Sequence, residues 1–147
     1  MPENDLAGVI VRSTVPEFKP GDQVFGWIPE LQNIATSQGA LSQYTRLLAT
    51  HIVHRPDNIT PTEAAGVSLV ALTAWQAMYD LGQIEEGQRV FINGGSTSVG
   101  LWAIMLSKLK GCHVTASASA KNEAFVRRFG ADEVSRMSRS EREYKIK

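Results

Sequence analysis

Arg89-Val90-Phe91-Ile92-Asn93-Gly94-Gly95-Ser96-Thr97-Ser98-Val99-Gly100 is the stretch that decides the fold. A run rich in Val, Phe and Ile passes into glycine and hydroxyl residues, and an apolar segment, Leu101 to Leu109, begins at once. That order predicts a buried parallel strand, a tight turn and a helix starting at the turn. Such a junction aims free backbone N–H groups and the positive end of a helix dipole at one point, where an anion, usually a phosphate, can sit.

Three motifs share this context. Gly95 and Gly100 have the spacing of a nucleoside-triphosphate P-loop, but Leu101 and Trp102 stand where Lys and Ser or Thr are needed. The hydrolase elbow G-x-S-x-G fails by one residue in either frame: Ser96 has Ser98 ahead of it, and Ser98 has Ser96 behind. No His follows His113 to complete a triad. The third motif is a dinucleotide fingerprint, with Gly94 and Gly100 at its ends and Thr97 in the middle place. Taken alone, it competes with an ordinary β–α turn.

The following residues favour the fingerprint. Gly111 closes the helix as a C′ residue would, and Cys112 to Ala116 reads as the second strand of a right-handed β–α–β unit. A NAD-preferring site places an acid near this strand's end for the ribose 2′-hydroxyl. Here the chain offers Ser117-Ala118-Ser119-Ala120-Lys121, with no carboxylate to repel a 2′-phosphate and hydroxyls and an ammonium to bind one. The expected cofactor is therefore NADPH. Capping of a helix over Lys121 to Phe129 is the plainer use of the same serines, and the two uses are compatible.

The 147 residues, 43% hydrophobic and 20% charged, suffice for an ordinary soluble domain. Fifteen basic residues balance fifteen acidic ones, so neither nucleic acid nor a membrane surface is an expected partner. No apolar run approaches a membrane span, and Met1 to Asp5 lacks the character of a secretory signal. The single Cys fits a reducing compartment, with cytoplasm as the default. His51, His54, Cys112 and His113 form no zinc-binding pattern, so no metal site is expected; Cys112 reads as a buried small hydrophobe.

Nearer the N-terminus, strands are expected at Ala7 to Val11, at Gln23 to Ile28 and at Gln43 to Leu48, with Pro20-Gly21 central in a type II turn. They predict a small β-rich module over residues 1–59, opening almost directly onto a strand as if its own beginning were missing. Thr60-Pro61-Thr62-Glu63 is a capping box with Pro at the first helical position. It predicts one mostly apolar helix to Leu81, interrupted by Thr73, Trp75 and Gln76, with Trp75 as a packing anchor.

The ordered motifs Phe18-Lys19-Pro20-Gly21-Asp22-Gln23-Val24-Phe25-Gly26, Gly39-Ala40-Leu41-Ser42-Gln43-Tyr44 and Pro56-Asp57-Asn58-Ile59 resemble the medium-chain dehydrogenase/reductase superfamily. So do Glu63 to Gly66, Ala71 to Ala77 and Gly130-Ala131-Asp132-Glu133-Val134. The nearest branch is the zinc-independent quinone oxidoreductase (zeta-crystallin-like) group, over about residues 7–134. The resemblance implies an α/β architecture: a partial GroES-like catalytic module, residues 1–59, then the first β–α–β part of a Rossmann (doubly wound parallel sheet) domain, residues 60–134. NADPH would lie in the cleft between two such domains and transfer hydride to a quinone, enone or other activated alkene. Gly94 and Gly95 would belong to the cofactor-binding turn, Ser96, Thr97, Ser98, Val99 and Gly100 would face the pyrophosphate, Ser117 and Lys121 would hold the 2′-phosphate, and Thr73 would lie near the nicotinamide. No catalytic side chain is named, because the cofactor supplies the hydride. The full-length family also implies a homodimer.

Two departures qualify the resemblance. Thr97 and Ser98 stand where the family usually has glycines, costing room but adding hydroxyl donors. Ser135 to Lys147 is a polar tail, expected to be disordered, where the family adds further β–α units. The chain thus reads as truncated at both ends, with two parallel strands incompletely covered. The alternatives within reach are an enoyl reductase of a polyketide or fatty-acid pathway, a non-catalytic NADPH-binding remnant, and an unstable product with no ligand.

Overall fold

The computed structural model describes residues 3–136. They divide between two compact units, Met1–Leu69 and Val70–Lys147. The first carries an antiparallel sheet of β1 (Asp5–Val9), β2 (Gln23–Trp27) and β3 (Ile52–His54), in that order. Alternation along β2 buries Val24, the buried Ile52 of β3 pairs with Gly26, and Ile28 just past β2 is fully enclosed. The turn at Pro20-Gly21 forms as expected: Gly21 takes φ +97°, and the Asp22 N–H donates to Lys19 O at 3.1 Å. Gly26 is obligatory for another reason, since a β-carbon there would stand 2.0 Å from the His51 carbonyl oxygen.

Two elements of this unit depart from expectation. Gln43 to Leu48 is not a strand. Ser42 Oγ donates to the carbonyls of Gly39 and Tyr44, and Gln38 Oε1 accepts from Arg46 N–H, so local side chains satisfy this backbone instead of a ladder. The place beside β2 goes to β3, a few residues later. A short helix unforeseen in the sequence, α1 (Glu30–Thr36), follows β2; it ends at Ser37 in the left-handed region, φ 52°.

The helix expected from Thr60 to Leu81 is broken. Its start is as read: Thr60 caps α2 (Pro61–Ala65), accepting from Glu63 N–H while the Glu63 carboxylate accepts from Thr60 N–H. Donation from the Thr60 N–H and from its hydroxyl holds the Glu63 carboxyl below its usual range. Gly66, among the poorest helix formers, is the C-cap, and helix resumes as α3 (Ser68–Trp75). At that restart the Asp5 carboxylate of β1 accepts from Leu69 N–H at 2.8 Å, doing for α3 what Thr60 does for α2. The chain then widens into a π-helical turn, Gln76–Leu81, where Gly82 N–H reaches back to Ala77 O at 2.9 Å.

The second unit is a parallel sheet of β4 (Arg89–Ile92), β5 (His113–Ala118) and β6 (Glu133–Arg136), with β5 central. Helices α4 (Ser98–Leu109) and α5 (Glu123–Arg128) provide the crossovers. Gly111, with φ +83°, follows the C-cap of α4 as expected. Ile92, Val114, Ala116 and Ala118 from the strands meet Ile104 and Ala103 of α4 and Val126 of α5 in one core, with Ala74, Ile84, Cys112 and Ala131. Cys112 is buried to 1% exposure, as a small hydrophobe would be.

Three parallel strands stand where two were expected. Asp132 recruits the third: its carboxylate accepts from Val114 N–H at 2.6 Å and from Lys108 Nζ at 2.9 Å, just before β6. Those two bonds hold its carboxyl below the usual range. β6 takes in Ser135 and Arg136, read as the start of the tail, and Arg136 Nε donates to Glu123 at 2.9 Å. Residues 137–147, the rest of that tail, lie outside the described residues.

Candidate functional site

The strand–turn–helix junction forms at 89–109 as its sequence predicts, and the described bonds show what shapes it. Gly94 takes φ +73°, which a residue with a side chain adopts only at a cost. Gly95 is buried: a β-carbon on it would lie 2.8 Å from Ala116 Cβ, 3.2 Å from Val126 Cγ1 and 3.3 Å from Ile104 Cδ1. At Gly100 a β-carbon would stand 2.3 Å from the Gly94 carbonyl oxygen. The three glycines thus serve three needs: a turn, close packing of helices on the sheet, and close approach of α4 to the turn.

Thr97 holds the fingerprint's middle place without strain, at φ −80° and ψ 160°. It is the N-cap of α4: its Oγ1 accepts from Gly100 N–H at 3.1 Å and donates to Gly94 O at 2.9 Å. Its proton is therefore committed within the turn. The Ser96 and Ser98 hydroxyls carry no such bond to described residues. The N–H groups of Ser98 and Val99, the first two helical positions, likewise have no acceptor among the described residues, since Thr97 satisfies only Gly100. Two amides and the positive end of a twelve-residue helix dipole converge there.

The end of β5 meets the turn directly. Gly95 N–H donates to Ser117 O at 2.8 Å, and Gly94 N–H donates to Ser117 Oγ at 2.8 Å. The Ser117 hydroxyl in turn donates to Asn93 Oδ1 at 2.6 Å, and the residue is 3% exposed. Its expected place on a 2′-phosphate meets a hydroxyl whose only proton is already given away. Asn93 was not singled out in the sequence, because its role rests on a contact 24 residues away.

Ser119, half-buried, makes no capping bond, and Lys121 is exposed with no acidic partner among the described residues. The next acid, Glu123, is engaged by Arg136 and Arg127, which hold its carboxyl below the usual range. The chain from 119 to 122 therefore presents one hydroxyl and an ammonium without a carboxylate. Thr73 is exposed on α3 and belongs to neither the turn nor the end of β5. Its neighbours differ: Ala74 enters the core, whereas Trp75, read as a buried anchor, is 48% exposed and packs against Tyr79 with ring centroids 4.4 Å apart.

Among the described residues no group of three or more His, Cys, Asp or Glu could hold a metal ion, and no helix is long and apolar enough to cross a membrane.

A parallel sheet crossed by helices, with a glycine turn feeding the first of them and an antiparallel sheet earlier in the chain, defines a mixed α/β protein. No family profile matches the chain. It is 38% identical over 136 residues to NAD(P)H oxidoreductase RTN4IP1, mitochondrial, of Mus musculus, covering 88% of this chain and 33% of that protein. Over 140 residues it is 35% identical to trans-enoyl reductase pgmF of Aspergillus terreus, covering 90% and 38% respectively. The quinone oxidoreductase from Coxiella burnetii superposes with a TM-score of 0.81 at 27% identity, over 92% of this chain and 43% of that one. The chain thus spans well under half the length of these relatives. Its homologues are quinone-oxidoreductase-like members of the medium-chain dehydrogenase/reductase superfamily.

Proposed function

We propose that the chain carries the cofactor-binding turn of an NADPH-dependent, zinc-independent oxidoreductase that reduces a quinone, enone or other activated alkene. The observation that carries this reading is the pair of amides, Ser98 and Val99, left open at the mouth of α4 while the glycines around them are fixed by packing. Those amides, with the Ser96 and Ser98 hydroxyls, would hold the diphosphate, and Gly94, Gly95 and Gly100 would keep the backbone close to it. Ser119 and Lys121 at the end of β5 would take the 2′-phosphate, where no carboxylate opposes it. Thr73 would lie toward the nicotinamide. When bound, the cofactor supplies a hydride; this chain's residues bind and orient it, and no catalytic side chain is assigned.

Calorimetric titration of the purified chain tests this. NADPH should bind and raise the melting temperature, and NADH should bind more weakly. A folded chain whose melting temperature does not move in millimolar NADPH would refute the reading. The likeness to a trans-enoyl reductase supports a second substrate class, enoyl thioesters. Loss of reduced-nicotinamide absorbance with a quinone, against loss with an enoyl thioester, separates the two. Binding without turnover of either would instead make the chain a non-catalytic NADPH-binding protein. The compartment follows no better from the likeness: RTN4IP1 is named as mitochondrial, so the cytoplasmic expectation stands on the sequence alone.

A further inference from the structure

Asn93 follows β4, and Ser117 lies one residue before the end of β5, yet their side chains bond at 2.6 Å. The same Ser117 hydroxyl accepts the Gly94 amide at 2.8 Å, and the Ser117 carbonyl accepts the Gly95 amide at 2.8 Å. Gly94 is the residue that turns the chain, at φ +73°, and the open amides follow it by four and five positions. A glycine has little conformational preference of its own, so something else must choose its angle. Here Ser117 does, clamping both amides around the turn, while Asn93 orients the hydroxyl by taking its proton.

We propose that Asn93 and Ser117 are a positioning pair for a dinucleotide's diphosphate and take no part in the choice between NADPH and NADH, which falls to Ser119 and Lys121. The proposal rests on the turn being a dinucleotide site. It departs from a direct 2′-phosphate role for Ser117 on two grounds: the side chain is buried, and it has no donor left to offer.

The test compares Asn93→Ala, Ser117→Ala, the double variant and Lys121→Ala with the parent 147-residue chain, measuring dissociation constants for NADPH and NADH. Asn93→Ala and Ser117→Ala should each weaken both nucleotides by the same factor, roughly three- to tenfold for one net hydrogen bond. Because the two act as one unit, the double variant should lose little more than the worse single variant. Lys121→Ala should weaken NADPH and spare NADH. A Ser117→Ala chain that loses NADPH affinity but keeps that for NADH overturns the proposal.

Amide hydrogen exchange without nucleotide provides the second readout. Gly94, whose acceptor is the Ser117 hydroxyl, should exchange faster in both single variants, with Gly95, held by the Ser117 main-chain carbonyl, less affected and Val114 in the sheet unchanged. Equal exchange at Gly94 overturns the pair even where the parent binds both nucleotides. A parent that binds neither nucleotide removes the dinucleotide reading, and the positioning role with it.

Discussion

Glycine substitutions distinguish space from conformation at single residues. Gly95 has three side chains converging on the point where a β-carbon would be, Ala116, Val126 and Ile104, none of them the loose end of a long chain. Gly95→Ala should therefore cost about 1–3 kcal/mol through overpacking, seen as a lower denaturant midpoint with unchanged slope. Gly8 is the control. Nothing lies within 4 Å of its missing β-carbon, and its backbone is ordinary strand. Gly8→Ala should be neutral or stabilising by up to about 1 kcal/mol, since alanine narrows the unfolded ensemble. The sequence identified Gly94 and Gly100 as fingerprint ends, but it could not tell which glycine answered which demand. That depends on Ala116 and Val126, which enter from other elements.

Elements set by neighbours in the chain were legible; those set by distant partners were not. Thr60 with Glu63, and Pro20 with Gly21, carry their geometry in adjacent residues, and both form as read. The apolar run from Ala64 onward reads as one helix, but Gly66 breaks it and Asp5, far upstream, supplies the new start. Gln43 to Leu48 has strand-like composition, yet the neighbouring edge of β2 is taken by Ile52–His54. β6 was missed as a strand for the same reason, since Asp132 anchors it to Val114 and Lys108. That anchor is acid-sensitive in a defined direction. A carboxyl whose folded value lies below its ordinary one contributes stability above the ordinary value and loses it as the pH falls through the folded one. Asp132→Asn should thus be less stable than the parent at pH ~7, with the gap closing below pH ~4. Denaturant melts across that range would show it, and a gap independent of pH would contradict the assignment.

At the level of the whole molecule, charge and exposed apolar surface govern how copies meet. The formal net charge is zero at pH 7, so little long-range repulsion keeps molecules apart near neutrality. Phe91 is 62% exposed on β4, an edge of the parallel sheet among the described residues. An apolar edge strand in a chain without net charge favours association. Phe91→Thr should retain strand propensity while lowering light scattering on heating near pH ~7; equal scattering would place the association elsewhere. The architecture of each unit was foreseeable from the order of strands, turns and helices, whereas which faces remain open was not, because burial is a property of the assembled sheet.

The bonds from Gly94 and Gly95 to Ser117 also bear on the moment at which the protein acquires its cradle. While the chain is still being made, strand β4 and the whole of helix α4 emerge before Ser117 does, and until then no clamp exists for the two glycine amides. A nascent chain halted before Ser117 emerges would hold every glycine of the fingerprint without the two bonds that fix the first turn. The clamp should appear only once β5 has left the ribosome and paired with β4.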